Sequence, residues 1–446
     1  MDFLSNFHLV MLAIIGGIIS IAIFLRPQLG IPLLVIALPL ESSNFSIKTP
    51  IQELGPTEMV FYPVLAGYIV QLIVNKKLKS LQISPLAILF AGVGFFSLFA
   101  MPESSMANLT YLLAFINVVV FSVVVRDIVA DNYALIQTLK LHVIMGAIYV
   151  LVEFLYYTGG WHRMGYLTSS PNQFAHYLLS IAFIAIAFMS FRGGLKRSFV
   201  FMAAAILAFG GIALTASRAA AVSAALGLMV YLALVKGSRN RKVLYFSIAC
   251  ICVTVLLMVI MSFDKDQFDV VFMKRFSGEF DDTSVIRRQL LLDEGLRLFW
   301  VHPLLGNGPG SFHMLSQLIY AGEVPLTHNS YLDILVSYGI VGLCLFVALL
   351  TGIGLLLTAL PVGDSVYSAL RPGLLAAYSA MSFHLLFFNG GFAHQFWFIV
   401  ASVGVLPRVM AYDSSARLLP DCLLMHRRRR IGTSVMIRAQ MQQRGR

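Results

Sequence analysis

Between residues 7 and 411 the sequence is a succession of apolar runs with short polar breaks, and most runs reach the roughly 17 to 25 residues a helix needs to cross a bilayer. They fall at 7–25, 29–40, 58–75, 83–101, 108–125, 135–157, 173–191, 198–215, 219–235, 243–262, 331–359, 372–388 and 396–411. A segment surrounded by lipid must satisfy its own backbone hydrogen bonds, so runs of this length predict helices. Of 446 residues 59% are hydrophobic and only 12% charged, against about 25% charged in soluble domains. The expected fold class is all-α, a polytopic transmembrane helix bundle of about 12 to 13 spans with one long loop containing amphipathic helices. Only Asp2 precedes the first run as a charge, and no small-residue cleavage site follows it, so it is expected to remain a membrane helix.

Lysine and arginine in short loops set the orientation. The stretches "NKKLKS" (75–80), "FRGGLKRS" (191–198), "KGSRNRK" (236–242) and "MHRRRRIG" (425–432) are basic, which places them and the C-terminal tail in the cytoplasm. The net charge of +11 then follows from topology and calls for no nucleic-acid partner. Affinity of the tail for anionic membrane lipid is a secondary effect. Cysteines 250, 252, 344 and 422 lie in spans or the tail with no ligand spacing beyond one Cys-x-Cys inside an expected helix, so neither a disulfide nor a zinc site is expected.

The opposite loops, 41–57, 158–172, 216–218 and 263–330, carry most of the polar chemistry. The last is the only long connection, and such connections are usually functional or disordered. The chain divides accordingly into an N-terminal transmembrane bundle (1–262), an outer catalytic loop (263–330), C-terminal transmembrane helices (331–411) and a basic tail (412–446).

Within the long loop, "DDTSVIRRQLLLDEGLRLFW" (281–300) opens with residues able to cap a helix. Val285, Ile286, Leu290, Leu292, Leu296, Phe299 and Trp300 follow at roughly helical spacing, which predicts an amphipathic helix at the membrane boundary. Arg297 has an acidic partner in Asp293 or Glu294. Arg288 has none at helical spacing, and Arg287 is rotated about 100° from it. Arg288 therefore either snorkels to the headgroups or meets an anion. Next comes "HPLLGNGPGSF" (302–312), where Gly306, Gly308 and Gly310 allow close backbone approach. No lysine follows these glycines, so this is not a nucleotide loop.

Arg218 is the only charge between Ser198 and Val235, a stretch too long for one span, so a bend is expected near Thr215 to Ser217. An arginine there needs an anion or a route to water. In "GGWHRMGYLTSSPNQFAHYLL" (159–179), Ser169 or Ser170 before Pro171 suits a helix start, with His176 facing outward from the first turns and Arg163 in the preceding loop. "PLTHNSYLDILVSYGIVG" (325–342) places Thr327 or His328 at the cap of a span, where the positive helix end favours a neutral imidazole. Asn329 and Ser330 are placed to hold that ring or the backbone.

Arginines matching phosphate oxygens without a metal, beside a neutral histidine able to deprotonate a hydroxyl, suit a lipid diphosphate leaving group and a sugar nucleophile. The chain resembles the O-antigen ligase and polysaccharide polymerase superfamily of bacterial inner-membrane glycosyltransferases. The resemblance lies in "HPLLGNGPGSF", in "THNSYLDILVSYGIVGLCLF", in an arginine about 14 residues before the first block, and more weakly in "SRAA" (217–220) and "PNQFAHYLL" (171–179).

The resemblance implies a metal-independent, cofactor-free, inverting enzyme of the inner membrane with its active site on the periplasmic side. Its donor would be an undecaprenyl-diphosphate-linked glycan and its acceptor lipid A core for a ligase. For a polymerase making O-antigen or exopolysaccharide, the acceptor would be a second lipid-linked glycan. It puts Arg218 and Arg288 on the diphosphate and His328 on the acceptor hydroxyl as the catalytic residues, with Arg163, Arg287, Asn329 and Gly308 as substrate contacts. Whether Arg287 or Arg288 meets the diphosphate stays open. A glycolipid transporter or flippase is the alternative class. It would call for carboxylates near the bilayer midplane and two related halves, whereas Glu153 is almost the only acid deep in a span.

Overall fold

The computed structural model describes residues 2–41, 47–48, 53–76, 83–100, 106–129, 131–158, 164–168, 170–190, 195–235, 283–318, 326–360 and 366–418. The expected span 243–262 and the basic stretches 236–242 and 425–432 lie outside the described residues.

Helices make up almost all of the described chain: α1 Asp2–Leu25, α2 Gly30–Ala37, α3 Pro56–Val74, α4 Pro85–Ser97, α5 Met106–Ile128, α6 Asn132–Thr158, α7 Pro171–Ser190, α8 Leu195–Leu214, α9 Arg218–Leu234, α10 Thr283–Phe299, α11 Ser311–Leu315, α12 Ser330–Ala359, α13 Val366–His384 and α14 His394–Leu418. A two-residue antiparallel pair, Ile47–Lys48 with Glu53–Leu54, closes the loop before α3. The fold is an all-α polytopic bundle. By length and composition, α3, α7, α12 and most of α5 and α6 can cross a bilayer, and shorter apolar helices lie beside them.

Local chemistry sets many of the boundaries. Proline opens α3, α4 and α7, where its missing N–H is harmless and its φ is already helical. Ser170, the residue before Pro171, presents its Oγ to the Gln173 N–H at 3.5 Å. The expected bend in the 198–235 stretch is a turn over 215–217 with Ala216 at φ 49, after which the Ser217 side chain caps α9.

α7 is the central helix. From Phe174 to Ala187 its side chains are buried on every side, as expected for a helix that is apolar all round, and it packs against α8 and α13. His176 is therefore fully buried, contrary to the outward position expected from its place in the first turns, because α13 covers that face. There the two imidazoles His176 and His384 stack with Nδ1 atoms 3.1 Å apart.

α10 does not bury the stripe its sequence suggested. Ile286, Leu290, Leu292, Leu296 and Trp300 are exposed, while Leu291, Glu294 and Leu298 are buried, and Leu291 and Leu298 join a small second core with Phe312, Leu332 and Val336. Packing against α12 selects this face, and the remaining apolar residues are left outward, where lipid can cover them. Arg297 pairs with Glu294 rather than Asp293, at 2.7 and 2.9 Å, and Glu294 also accepts the Gln317 N–H.

α12 would be about 45 Å long if straight, well over the roughly 30 Å hydrocarbon layer. It is broken at Gly339, which has φ 65 and ψ −169. The 302–310 loop plugs the break. In an unbroken helix the Val336 and Ser337 carbonyls would accept from Ile340 and Val341; they accept instead from the Asn307 and Gly308 N–H groups, while Ile340 and Val341 donate to Pro303 and Leu304. Asn307 adds side-chain bonds to the Leu298 and Val336 carbonyls. Only glycine fits at the contact, because a Cβ on Gly339 would lie 2.3 Å from the Leu304 carbonyl oxygen.

Candidate active site

At the α12 N-terminus the chain turns sharply through His328, at φ 52. Asn329, rather than Thr327 or His328, is the helix cap: its Oδ1 accepts from the Tyr331 and Leu332 N–H groups at 3.0 and 3.1 Å. An asparagine oxygen reaches these donors well, and this frees His328 from capping.

Ser330 fixes the neighbouring loop. Its hydroxyl donates to the Phe388 carbonyl at 2.7 Å and accepts from the Gly390 and Gly391 N–H groups, while its own N–H donates to Leu385. The Thr327 hydroxyl adds a bond to Asn389 Oδ1 at 2.8 Å, and the Trp397 indole N–H bonds the Gly391 carbonyl. The 385–393 segment is thus stitched to the α12 start from one side and to α14 from the other.

A third wall comes from 164–168 and Ser170. Glu153, buried near the end of α6, accepts the N–H groups of Gly165, Tyr166 and Leu167 at 3.0, 2.9 and 2.7 Å. Met164 donates to the Leu214 carbonyl, which ties this loop to the α8–α9 turn. The acid that stood out in the α6 sequence therefore holds a loop in place.

These walls enclose a cavity of about 460 Å³. His328, Glu41, Asp333 and His313 bring titratable groups to it, and Asn172, Gln173 and Asn389 bring amides. Tyr111, Phe312, Phe388 and Phe392 supply ring faces. Hydrogen-bonding groups alternating with flat apolar surface suit a sugar.

The sequence-predicted residues do not all stand in this lining. His328 does. Burial, then Arg287 and then Arg288, push its imidazole below the ordinary value of 6.5. It is thus neutral, as expected, but from burial and two cations more than from the helix end. Both arginines of α10 therefore lie within electrostatic reach of the ring. Arg287 is half-buried and Arg288 exposed.

Arg218 is the first residue of α9, next to Ser217, whose hydroxyl donates to the cavity residue Asn172 at 2.9 Å. Gly308 is buried and donates its N–H to Ser337, so that group is already occupied within the protein. Arg163 lies outside the described residues.

Sequence reasoning missed a cluster on the same cavity. Glu41, just after a 3₁₀ turn Leu38–Leu40, accepts on Oε1 from the His394 N–H at 2.9 Å and from its Nδ1 at 2.6 Å. Glu58 Oε1 is 3.6 Å from the same Nδ1. Among the described residues these three form a group whose donor atoms could converge on a cation. The signal lay in two acids flanking one outer loop, but their histidine is more than 300 residues away in sequence.

Residues 202–347 match the family model for O-antigen ligases. The match supports the O-antigen ligase and polymerase superfamily. It covers about a third of the chain and runs from α8 into α12, so the ligase-type segment takes in Arg218, Arg287, Arg288, the 302–310 plug, His328 and Gly339. Glu41, Arg163 and the 385–393 wall lie beyond it. No curated protein matches the chain.

Proposed function

We propose that this membrane enzyme moves a glycan from undecaprenyl diphosphate to a sugar hydroxyl on an acceptor, lipid A core in the ligase form of the reaction, at the periplasmic face of the inner membrane. The observation that carries the reading is His328 in the wall of a sugar-sized cavity, with Arg287 and Arg288 in electrostatic reach, all inside the O-antigen ligase segment. Residues 263–330 then act as a catalytic loop between the 1–262 bundle and the 331–411 helices, with 412–446 as a basic cytoplasmic tail.

On this reading Arg288 and Arg218 take the diphosphate, with Arg287 and Arg163 as further phosphate contacts. As the bond between the anomeric carbon and the diphosphate oxygen breaks, negative charge grows on the leaving group, and fixed guanidinium groups stabilise it most at that moment. Neutral His328 orients the attacking hydroxyl toward the opposite face of the anomeric carbon and takes its proton as the new bond forms, which inverts the configuration. Asn329 acts by capping the helix that carries this ring, and Gly308 by plugging the break behind it. Arginine forks bind the diphosphate without a metal.

A polymerase would use the same donor side with a second lipid-linked glycan as acceptor. A transporter or flippase is less well supported, because the buried Glu153 is engaged by three backbone N–H groups. The test is purified protein with undecaprenyl-diphosphate-linked repeat units in chelator, with or without lipid A core. Product only on lipid A core means ligase, and a ladder of lipid-linked chains without it means polymerase. Intact donor in both, from protein that is folded and inserted, overturns the reading.

A further inference from the structure

Asp333 lines the same cavity as His328 and has no part in the chemistry above. An acid in the first turn of a helix ordinarily serves the unpaired N–H groups there. In α12 those groups already have acceptors. The Ser330 N–H donates to the Leu385 carbonyl, those of Tyr331 and Leu332 to Asn329 Oδ1, and that of Asp333 to the Asn329 carbonyl. The half-buried Asp333 carboxylate is therefore surplus to the helix. Among the described residues it accepts no hydrogen bond and meets no cation, and neither of its oxygens is a fully buried atom, so both can be reached from the cavity.

The groups around it complement a carboxylate. Asn172 and Asn389 each engage their side-chain oxygen with a hydroxyl of the protein, Ser217 at 2.9 Å and Thr327 at 2.8 Å, which leaves their NH2 groups as the donors they bring to the cavity. Tyr111, within electrostatic reach of Asp333, supplies a ring, and Gly310 packs so closely on that ring that a Cβ there would overlap it. Glu41, the other acid of the lining, has Oε1 taken by His394 and Oε2 fully buried. Of these two acids, Asp333 is the one with both oxygens open to a ligand. Sugar hydroxyls donate and accept, so a ring lying on Tyr111 can accept from the amides and donate to Asp333. An ionised carboxylate only accepts, so it favours O–H groups and repels a second carboxylate or a phosphate.

We propose that Asp333 selects the sugar: its carboxylate accepts hydrogen bonds from ring hydroxyls of an uncharged sugar seated beside His328, and it excludes a ring that carries an acid at that point. The inference deepens the glycosyl-transfer reading above and rests on it. Selection is strong because an analogue without the hydroxyl leaves a desolvated carboxylate unpaired. The attacking sugar and the transferred sugar present the same hydroxyl chemistry, and the experiment separates them.

The test uses the full chain in nanodiscs with synthetic undecaprenyl-diphosphate-linked repeat units. Either the sugar at the attacking end or the sugar on the diphosphate is supplied in native, monodeoxy or uronic acid form, and kcat/KM is measured together with thermal stability. In wild type one monodeoxy form is expected to lose about 10 to 150-fold in kcat/KM, and the uronic acid form at least as much. In D333A that monodeoxy form is expected to stay within about threefold of the native sugar, because the partner of the missing hydroxyl is gone. The end of the substrate at which the penalty disappears is the end Asp333 reads. D333N keeps the side-chain shape: the native sugar is expected to drop about tenfold, while the uronic acid form recovers about tenfold of its disadvantage. Where D333A does not assemble, D333N decides.

A purely structural Asp333 slows every sugar by the same factor, so monodeoxy and uronic acid penalties that match wild type in both variants overturn the proposal. So does a D333N that transfers native repeat units within about twofold of wild type. If wild type itself transfers nothing, or R288A binds donor and transfers normally, the glycosyl-transfer reading fails first and takes this assignment with it.

Discussion

Gly339→Ala probes the break that sets the direction of the His328 end of α12. A Cβ at this position would sit 2.3, 2.4 and 2.6 Å from Leu304 O, Leu304 C and Gly306 N, all backbone atoms of the plug, so no rotamer change relieves the overlap. The backbone at φ 65 and ψ −169 is itself a glycine conformation, worth about 1 to 3 kcal/mol of strain for an L side chain. If the plug moves out, four backbone hydrogen bonds go with it, each contributing about 0.5 to 1.5 kcal/mol. The expected loss is thus roughly 3 to 9 kcal/mol, a large part of a typical stability of about 5 to 15 kcal/mol.

The assay is thermal unfolding of detergent-purified protein together with transfer rate, and Gly352→Ala is the control. Gly352 lies in the same helix with nothing within 4 Å of its missing Cβ, so alanine there changes stability by no more than about 1 kcal/mol. G339A should lower the melting temperature by many degrees and abolish transfer, while G352A does neither. If G339A melts and transfers like G352A, the plug does not hold α12 as described.

Three further outcomes follow from the same geometry. Glu153→Ala strips three backbone N–H groups of their acceptor and should cost about 3 kcal/mol or more, with the 164–168 segment becoming sensitive to protease; unchanged cleavage there would contradict the role. Asn329→Ala should cost about 1 kcal/mol through the lost cap, whereas Asn329→Ser and Asn329→Asp should keep stability and activity; loss of activity in a stable N329S would mean that Asn329 touches substrate. Arg287→Gln removes a cation that holds His328 below 6.5, so the His328 resonance in a carbon-13 histidine titration should move to higher pH. The sign for folding follows from linkage: as pH falls below about 6.5 the unfolded chain takes a proton that folded His328 refuses, so stability falls with acidification, and R287Q should weaken that dependence. A titration that stays put or moves down would contradict the assigned field.

The helices were legible because hydrophobicity alone dictates them: α3, α5, α6, α7 and α9 begin and end within three residues of the apolar runs. The α8–α9 bend was legible for the same reason, since the largely apolar stretch from Ser198 to Val235 is too long for one span. The break in α12 was not, because 334–359 carries no charge and reads as one continuous span, and Gly339 shows its function only when the 302–310 loop arrives. The packing face of α10 was misread because leucines lie on both sides of the helix, and only α12 determines that Leu291 and Leu298 turn inward. His328, Arg287 and Arg288 stand out from local pattern alone, and the fold brings them within electrostatic reach of one another. Glu41 with His394 could not, because the 38–41 turn and the start of α14 meet only in three dimensions.

The central claim is that the glycan end of a lipid diphosphate enters the cavity beside His328. Photocrosslinking with an undecaprenyl-diphosphate sugar that carries a diazirine on the sugar, mapped by mass spectrometry in membranes, tests it most directly. The account predicts crosslinks at cavity residues such as Thr168, His313 and Asn389, competed by unlabelled donor and lost in R288A. Crosslinks concentrated instead in another cavity, of about 310 Å³, between α4, α5, α12 and α14, at Ser122, Leu356 or Gly404, would contradict it.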